Sequence, residues 1–354
     1  MLTFKDFSNS QRLKYGLLQT MDHIVGRRTG MRLTKKFRKK FYAQLSETLE
    51  KKGEGKIIQI DRVKDISFEE FKTKYVDKGI PVVLEGAAKN WQCVKDWNLQ
   101  YFKEKHGDDE IVISGDSALE KAFEITTLNG LIDNINSGGD KYYRFYPLLE
   151  RHPEHIQDID LEWMRKHRGK GGYGEYFQVF IGGNGTYTPL HNSIGANLFT
   201  QIHGEKHWRM YAPYHTMIID PDPGKNFHRS APHRKKTGPF NPFTMDFEPP
   251  YQLFKYIDCY DTLLKPGDVL YNPPHFWHAV KNKSTTIGMG YRWLSFPLAR
   301  KSTRLYTFFD MVAINPPIWT LYKQFKMDYN LLHIKELGAE KSFETEVKQK
   351  SSKA

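Results

Sequence analysis

The sequence predicts a mainly β fold with α additions, on three observations. From Gly174 to about Ser295, short aromatic and β-branched runs alternate with Gly, Pro and Asn turns: "EYFQVFIGG", "NLFTQIHG", "KHWRMYAP", "TIGMGYRWLSF". Many short strands between turns argue for a β-sandwich or barrel. The stretch before it mixes helix and strand patterns, and both ends of the chain read as helical. The 354 residues include 23 Phe, 20 Tyr and 7 Trp, enough rings for one large core with an appended helical part, or for two modest domains.

Taken in order, residues 1–54 read as helical with a gap at "GRRTG". Leu33, Phe37, Phe41 and Leu45 recur every four residues and suggest an apolar stripe on a basic helix. "KIIQIDRV" reads as a strand. Ser67, followed by Glu69 and Glu70, opens a short capped helix. "IPVVLEGA" reads as a buried strand, Asn98 opens a second short helix, and "DEIVISG" returns to strand. Helices are expected at "TLNGLIDNINSGG" and "LEWMRKHRG". "KPGD" at 265–268 is a tight turn feeding a strand. "GGNG" at 182–185 lacks the strand–loop–helix order of a nucleotide site and reads as a hairpin or a substrate-entry loop. The tail from Thr303 is aromatic and helical, broken by Pro316 and Pro317, and "KQKSSKA" reads as a disordered end.

Formal net charge is +12, and residues 1–56 carry 14 Lys or Arg against 5 acids. "RRTGMRLTKKFRKK", residues 27–40, holds eight bases and no acid. Such a run binds an anionic partner (nucleic acid, an acidic protein or a lipid surface) or is a solvated helix face. Cys93 and Cys259 are the only cysteines, so a disulfide scaffold is excluded and a reduced, cytoplasmic setting is expected. No apolar run is long enough for a membrane span.

The chemistry concentrates in "TPLHNSIGANLFTQIHGEKHW" (188–208) and "NPPHFWHAV" (272–280). His191 and His278 sit at the rims of separate strands and can meet inside a barrel. Imidazole suits Fe, Zn, Cu and Ni, and two His with one carboxylate form the facial triad of iron oxygenases. His203 and His207 read as ordinary neighbours of a strand turn at "HGEK". His215, His228 and His233 read as a loop or surface patch.

Three segments, "DRVKDISFEEFKTKYVDKGIPVVLEGAAKNW", "TPLHNSIGANLFTQIHGEKHWRMYAP" and "LLKPGDVLYNPPHFWHAVKN", stand in an order and spacing that resembles the JmjC-related, cupin-like family of Fe(II)- and 2-oxoglutarate-dependent oxygenases. The likeness covers roughly residues 56–300 and is nearest the branch of the asparaginyl hydroxylase of the hypoxia-inducible factor. It implies a double-stranded β-helix, a jelly-roll of eight core strands, over 174–300. A basic helical segment (1–55) and an α+β region (56–173) precede it, and a helical region (301–345) follows that resembles the homodimerising helices of that branch. It also implies Fe(II) and 2-oxoglutarate as cofactors and molecular oxygen as cosubstrate. His191 and His278 match the iron ligands. Lys206 and Thr188 match the groups that hold the far carboxylate of 2-oxoglutarate, and Asn197 falls where the related hydroxylase also has an active-site asparagine.

One position departs from the pattern. Two residues after His191, where the family has Asp or Glu, stands Ser193, and no acid lies between His191 and Gly204. Residue i+2 shares a strand face, so Asn192 is a poor substitute. Four readings follow. Iron is held by the two histidines alone, with water or an anion in the third place, as in halogenases. Another residue (His203, His207 or a distant acid) completes the site. Ser193 is itself a weak neutral ligand. Or the pocket has lost catalysis and binds a ligand or a protein. The reading ranked first is an oxygenase, by default a hydroxylase, of a protein, RNA or small-molecule substrate.

Overall fold

The computed structural model describes residues 7–114, 123–221, 228–230, 233–234 and 238–303. Eight strands, Tyr173–Gly182, Tyr187–Ser193, Ala196–His203, Lys206–Tyr211, Cys259–Leu264, Val269–Asn272, Trp277–Asn282 and Thr286–Leu294, are divided equally between two facing sheets. Their order is 259–264, 206–211, 277–282, 187–193 in one sheet and 269–272, 196–203, 286–294, 173–182 in the other, which is the jelly-roll arrangement. Further strands lengthen both sheets. Ile57–Gln59 and His228–Ser230 flank the first, while Arg62–Val63, Val82–Leu84 and Tyr142–Tyr146 extend the second. The expected single strand "KIIQIDRV" is thus two short strands that pass from one sheet to the other.

Strand alternation sorts the side chains into layers. Phe180, Phe199, Trp208, Met210, Leu270 and Val280 fill the space between the sheets. Their neighbours Val179, Ile181, Leu198, Ile202, Met289 and Tyr291 pack outward against the helices of the 56–173 region. On the other outer face, Trp277 and Ala279 meet the N-terminal helices and the Tyr251–Ile257 segment. The helix signals hold. The Ser67 side chain accepts from Glu70 N–H and Glu70 bonds back, a capping box; Asn98 caps Leu99–His106, and Leu128–Asn136 and Leu161–Arg168 are helices. "GGNG" is a hairpin turn with Gly185 at φ 82°, and the "KPGD" turn has Gly267 at φ 90°.

The N-terminal segment differs from expectation in two ways. "GRRTG" is no gap, since Arg27–Leu33 is a helix between Asn9–Val25 and Lys35–Lys52. Gly30 permits it, because a Cβ there would lie 2.1 Å from Asp22 Oδ1. The stripe is also displaced. Leu33 and Phe37 are 63 % and 45 % exposed, and the buried face runs through Arg38, Phe41, Leu45 and Leu49. Leu33 ends the helix Arg27–Leu33 and lies across the Thr34 break from the other three, and each step of four drifts about 40° around a helix of 3.6 residues per turn, so the four positions do not share one face. Arg38 is drawn in by Asp22 (Nη2–Oδ2 2.7 Å), and Arg27 bridges Asp22 and Asp220. Two of the eight bases in 27–40 are therefore structural, and Arg28, Arg32, Lys35, Lys36, Lys39 and Lys40 are exposed.

His215 is likewise misjudged by sequence. It lies wholly buried at the end of the Pro213–His215 turn, edge-on to Tyr214, where apolar Met217, Ile218 and Ile219 follow it. The strands holding His228 and His233 are described only in their backbone. Cys93 and Cys259 are free and buried, and no described helix is long and apolar enough to cross a membrane. The helical tail expected over 301–345 lies outside the described residues beyond residue 303, as do its dimerising role and the "KQKSSKA" end.

Two outcomes follow. Asp22 is fully buried between two guanidinium groups, so Asp22→Ala leaves buried Arg38 with only the longer contact to Asp220 at 4.0 Å and should lower stability by about 3 kcal/mol in denaturant unfolding. Burial alone pushes His215 down to about 3. Below pH 6.5 the unfolded chain takes up a proton that the folded chain refuses, so this residue's contribution is lost as pH falls from 6.5 toward 3. Between pH 6.5 and 5 the loss is about 2 kcal/mol, and His215→Leu should flatten the stability-versus-pH curve by that amount.

Candidate metal centre

The strands Tyr187–Ser193 and Trp277–Asn282 pair antiparallel with His191 directly opposite His278. The two rings stand 4.2 Å apart between centroids. His191 Nδ1 lies 2.8 Å from the Pro189 carbonyl and His278 Nδ1 lies 2.9 Å from that of Phe276. Each ring therefore donates through Nδ1, the tautomer that carries the lone pair on Nε2. Trp208 stacks on His278 at 5.4 Å and 22°. His191 is held neutral, its pKa pushed down to about 4 by burial, with the charges of Arg292 and Arg144 acting in the same direction.

Thr188 lies three residues before His191, so simple alternation puts it on the opposite face. A β-bulge corrects this. Between the His278 and Val280 pairings, two residues of one strand oppose three of the other, and Thr188 comes to face the inward residue Val280. Its hydroxyl accepts from Arg144 Nε at 3.4 Å. The Arg144 guanidinium sits over the Tyr142 ring at 4.6 Å, and the Tyr142 hydroxyl accepts from Lys206 Nζ at 3.3 Å. Tyr142 and Arg144 were not singled out from sequence, because the strand that carries them lies outside the quoted motifs.

Lys206 is completely buried beneath the rings of Tyr142, Phe180 and Phe199, and has no carboxylate partner among the described residues. Burial lowers its pKa, and the charge of Arg144 does so too. A buried ammonium without a counter-charge is costly unless a bound anion supplies one. Lys206 and the histidines are four ladder steps apart, since Met210 pairs with His278 and Lys206 with Asn282. That is about 13 Å at the strand rise.

The opposite wall carries open polar atoms. Asn272, Asn197, Arg292 and Tyr176 form one row across adjacent strands. Both amide atoms of Asn197 and of Gln178, the Asn272 carbonyl oxygen and Arg292 Nε are buried without partners. Gly288 and Gly290 keep that wall open: a Cβ at Gly288 would lie 2.4 Å from Phe199, and one at Gly290 3.1 Å from Asn197 Oδ1. Asn197 thus belongs to a polar row in this wall, with Arg292 beside it.

Ser193 is buried on the same strand as His191, in a stretch whose ladder to 228–230 is regular, so the two share a face. Its hydroxyl accepts from Gly195 N–H at 3.2 Å and carries no charge. Asn192, on the other face, donates to the His275 carbonyl. The other suggested donors lie elsewhere. His203 is exposed, and His207 is paired outward with Asp261 at 2.8 Å. A group of three His, Cys, Asp or Glu donors within reach of one ion occurs once among the described residues. It lies at His106, His152 and Glu154, not at the His191–His278 pair. Two imidazoles beside a serine still fit a divalent ion, with the remaining positions open to water and anions.

The model of the Cupin-like domain matches residues 68–298, which takes in all eight barrel strands. Similar proteins include JmjC domain-containing protein D of Dictyostelium discoideum, 29 % identical over 63 % of this chain and 53 % of its own length. Lysine-specific demethylase 8 of Danio rerio is 25 % identical over 66 % of this chain and 58 % of its own, and Arginine-specific demethylase JMJ20 of Arabidopsis thaliana is 20 % identical over 67 % and 57 %. The chain spans little more than half the length of these relatives. Demethylases of the JmjC kind use Fe(II) and 2-oxoglutarate. The paired histidines in the jelly-roll and the match over most of its length lead to one conclusion: the chain belongs to the cupin-like, JmjC-related domain family.

Proposed function

We propose that the protein is an Fe(II)- and 2-oxoglutarate-dependent oxygenase in which His191 and His278 are the protein's ligands to iron and Ser193 stands where the usual acid would be. The observation that carries this reading is Lys206, fully buried with no acid beside it among the described residues, on the same sheet as the histidine pair and four ladder steps from it. An extended lysine and a five-carbon dicarboxylate together bridge the four ladder steps between them. Lys206, the Tyr142 hydroxyl and Thr188 would hold the far carboxylate. The Nδ1 bonds to Pro189 and Phe276 fix both imidazoles with Nε2 toward the ion. Bound Fe(II) and 2-oxoglutarate supply the activation of dioxygen for oxidising a C–H bond. The rings of Phe180, Phe199 and Trp208 keep bulk water out, and Asn197, Gln178 and Arg292 offer polar atoms to orient ligands. The names of the relatives make a protein side chain the substrate class of choice, with hydroxylation as the default outcome. The six exposed bases of residues 27–40 provide a surface for an anionic partner.

Four measurements test this. Anaerobic Fe(II) with 2-oxoglutarate should give the visible charge-transfer band of the chelate. Lys206→Met should weaken 2-oxoglutarate by on the order of a hundredfold, since it removes a charge-assisted bond worth about 1.5–3 kcal/mol or more when buried. A folded wild type without the band, and without turnover, is instead a binding protein. Ser193→Asp should tighten Fe(II) by on the order of tenfold, because it adds a negative hard ligand beside a divalent ion. Equal affinity in both proteins means another residue already completes the site. Replacing Lys35, Lys36, Lys39 and Lys40 with Gln should abolish salt-sensitive binding to an RNA, DNA or acidic-vesicle probe. Unchanged binding across the salt series reduces that face to a solvated helix.

A further inference from the structure

A second cluster of ligand-type residues lies outside the barrel, where the helix Leu99–His106 meets the segment Leu148–Asp158. His106 and His152 are stacked with ring centroids 3.7 Å apart, and one donor atom each from His106, His152 and Glu154 lie within 4.8 Å of one another. The hydrogen bonds decide which nitrogens can act. His155 Nδ1 donates to Asp158 Oδ2 at 2.8 Å, so its Nε2 is an acceptor. That acceptor stands 2.6 Å from His106 Nε2, which must be the donor, and His106 is left with its lone pair on Nδ1. His152 Nε2 donates to Asp109 Oδ2 at 2.9 Å, and its Nδ1 lone pair faces Glu154 Oε1 at 3.8 Å. Asp109 is itself fixed by the Tyr146 hydroxyl, and Asp158 by the Trp97 indole N–H at 3.0 Å.

We propose that His106, His152 and Glu154 form a second divalent-metal site of the zinc class, with a fourth position open to water. Two imidazoles and one carboxylate are a zinc donor set. Ligands about 2.0–2.1 Å from a tetrahedral ion stand about 3.3–3.4 Å apart, so the His152–Glu154 separation need close by only a few tenths of an ångström, while the stacked His106 and His152 rings must splay for both lone pairs to meet one ion. A carboxylate behind each imidazole, Asp109 directly and Asp158 through His155, is the outer arrangement that sets ligand tautomers and raises basicity. The ion would tie the end of one helix to a turn 46 residues away.

The test uses the untagged full chain carrying His191→Ala and His278→Ala, which silences the barrel pair and makes the result independent of the function proposed above. Titration with Co(II), read by its visible ligand-field bands, and equilibrium dialysis with Zn(II) should give one equivalent bound. Adding Glu154→Gln, at an exposed position that does not endanger folding, should weaken that binding by about tenfold or more, and His152→Gln should do the same. Asp158→Asn, with all three ligands intact, should weaken it by about 10–100-fold. The proposal is overturned if the barrel-silenced chain, folded by circular dichroism, takes up no Co(II) or Zn(II), or holds an equivalent with the same affinity after Glu154→Gln and His152→Gln.

Discussion

The register between the strands Tyr187–Ser193 and Trp277–Asn282 is the constraint on which the candidate centre depends. His191 and His278 are brought together by ladder pairing, across 87 residues of chain, and not by any local turn. A slip of one residue would send one ring to the outer face, among Trp277, Ala279 and Leu190. The register is held by what lies on either side. Outward, the Trp277 indole donates to the Thr216 hydroxyl at 2.9 Å. Inward, Asn282 donates to Thr186 at 2.7 Å and Trp208 stacks on His278. The apolar outer layer and the polar interior therefore enforce the same alignment.

That constraint explains what sequence could and could not reveal. Most of the barrel strands were legible as short aromatic or β-branched runs closed by Gly, Pro or Asn, because period-2 alternation is a local property, while the count of eight came from the family likeness. The histidines were legible because their motifs carry them. Thr188 was legible only through family likeness, because plain alternation gives the wrong face and the bulge that corrects it depends on the partner strand. Tyr142, Arg144 and Arg292 stayed hidden for the same reason. They reach the pocket through sheet order, which places Tyr142–Tyr146 at the edge beside Tyr173–Gly182 and sets Arg292 opposite Asn197. In the N-terminal helices, hydrophobic spacing alone mislocated the buried face. The deciding contact is a long-range ion pair between Arg38 and Asp22, which composition reports only as surplus charge.

The interior has an electrostatic consequence that follows from the serine. Arg144 and Arg292 are buried within electrostatic reach of His191, with the buried Lys206 four ladder steps away, and a carboxylate at position 193 would have set one negative charge against them and against a divalent ion. With Ser193 there, that balance passes to bound anions. On the proposed reading, an ion entering without 2-oxoglutarate would meet two imidazoles and the repulsion of the Arg144 and Arg292 guanidinium groups. With the dianion already in place, the same ion meets a compensated field. In the proposed reading, metal and cosubstrate therefore raise each other's affinity by the same factor, as linkage requires. The Ser193 position, in this view, makes occupancy of the centre conditional on its anionic ligand. On the proposed reading, the buried Lys206 would be the residue through which that condition acts, because its charge would favour the dianion whether or not the ion is present.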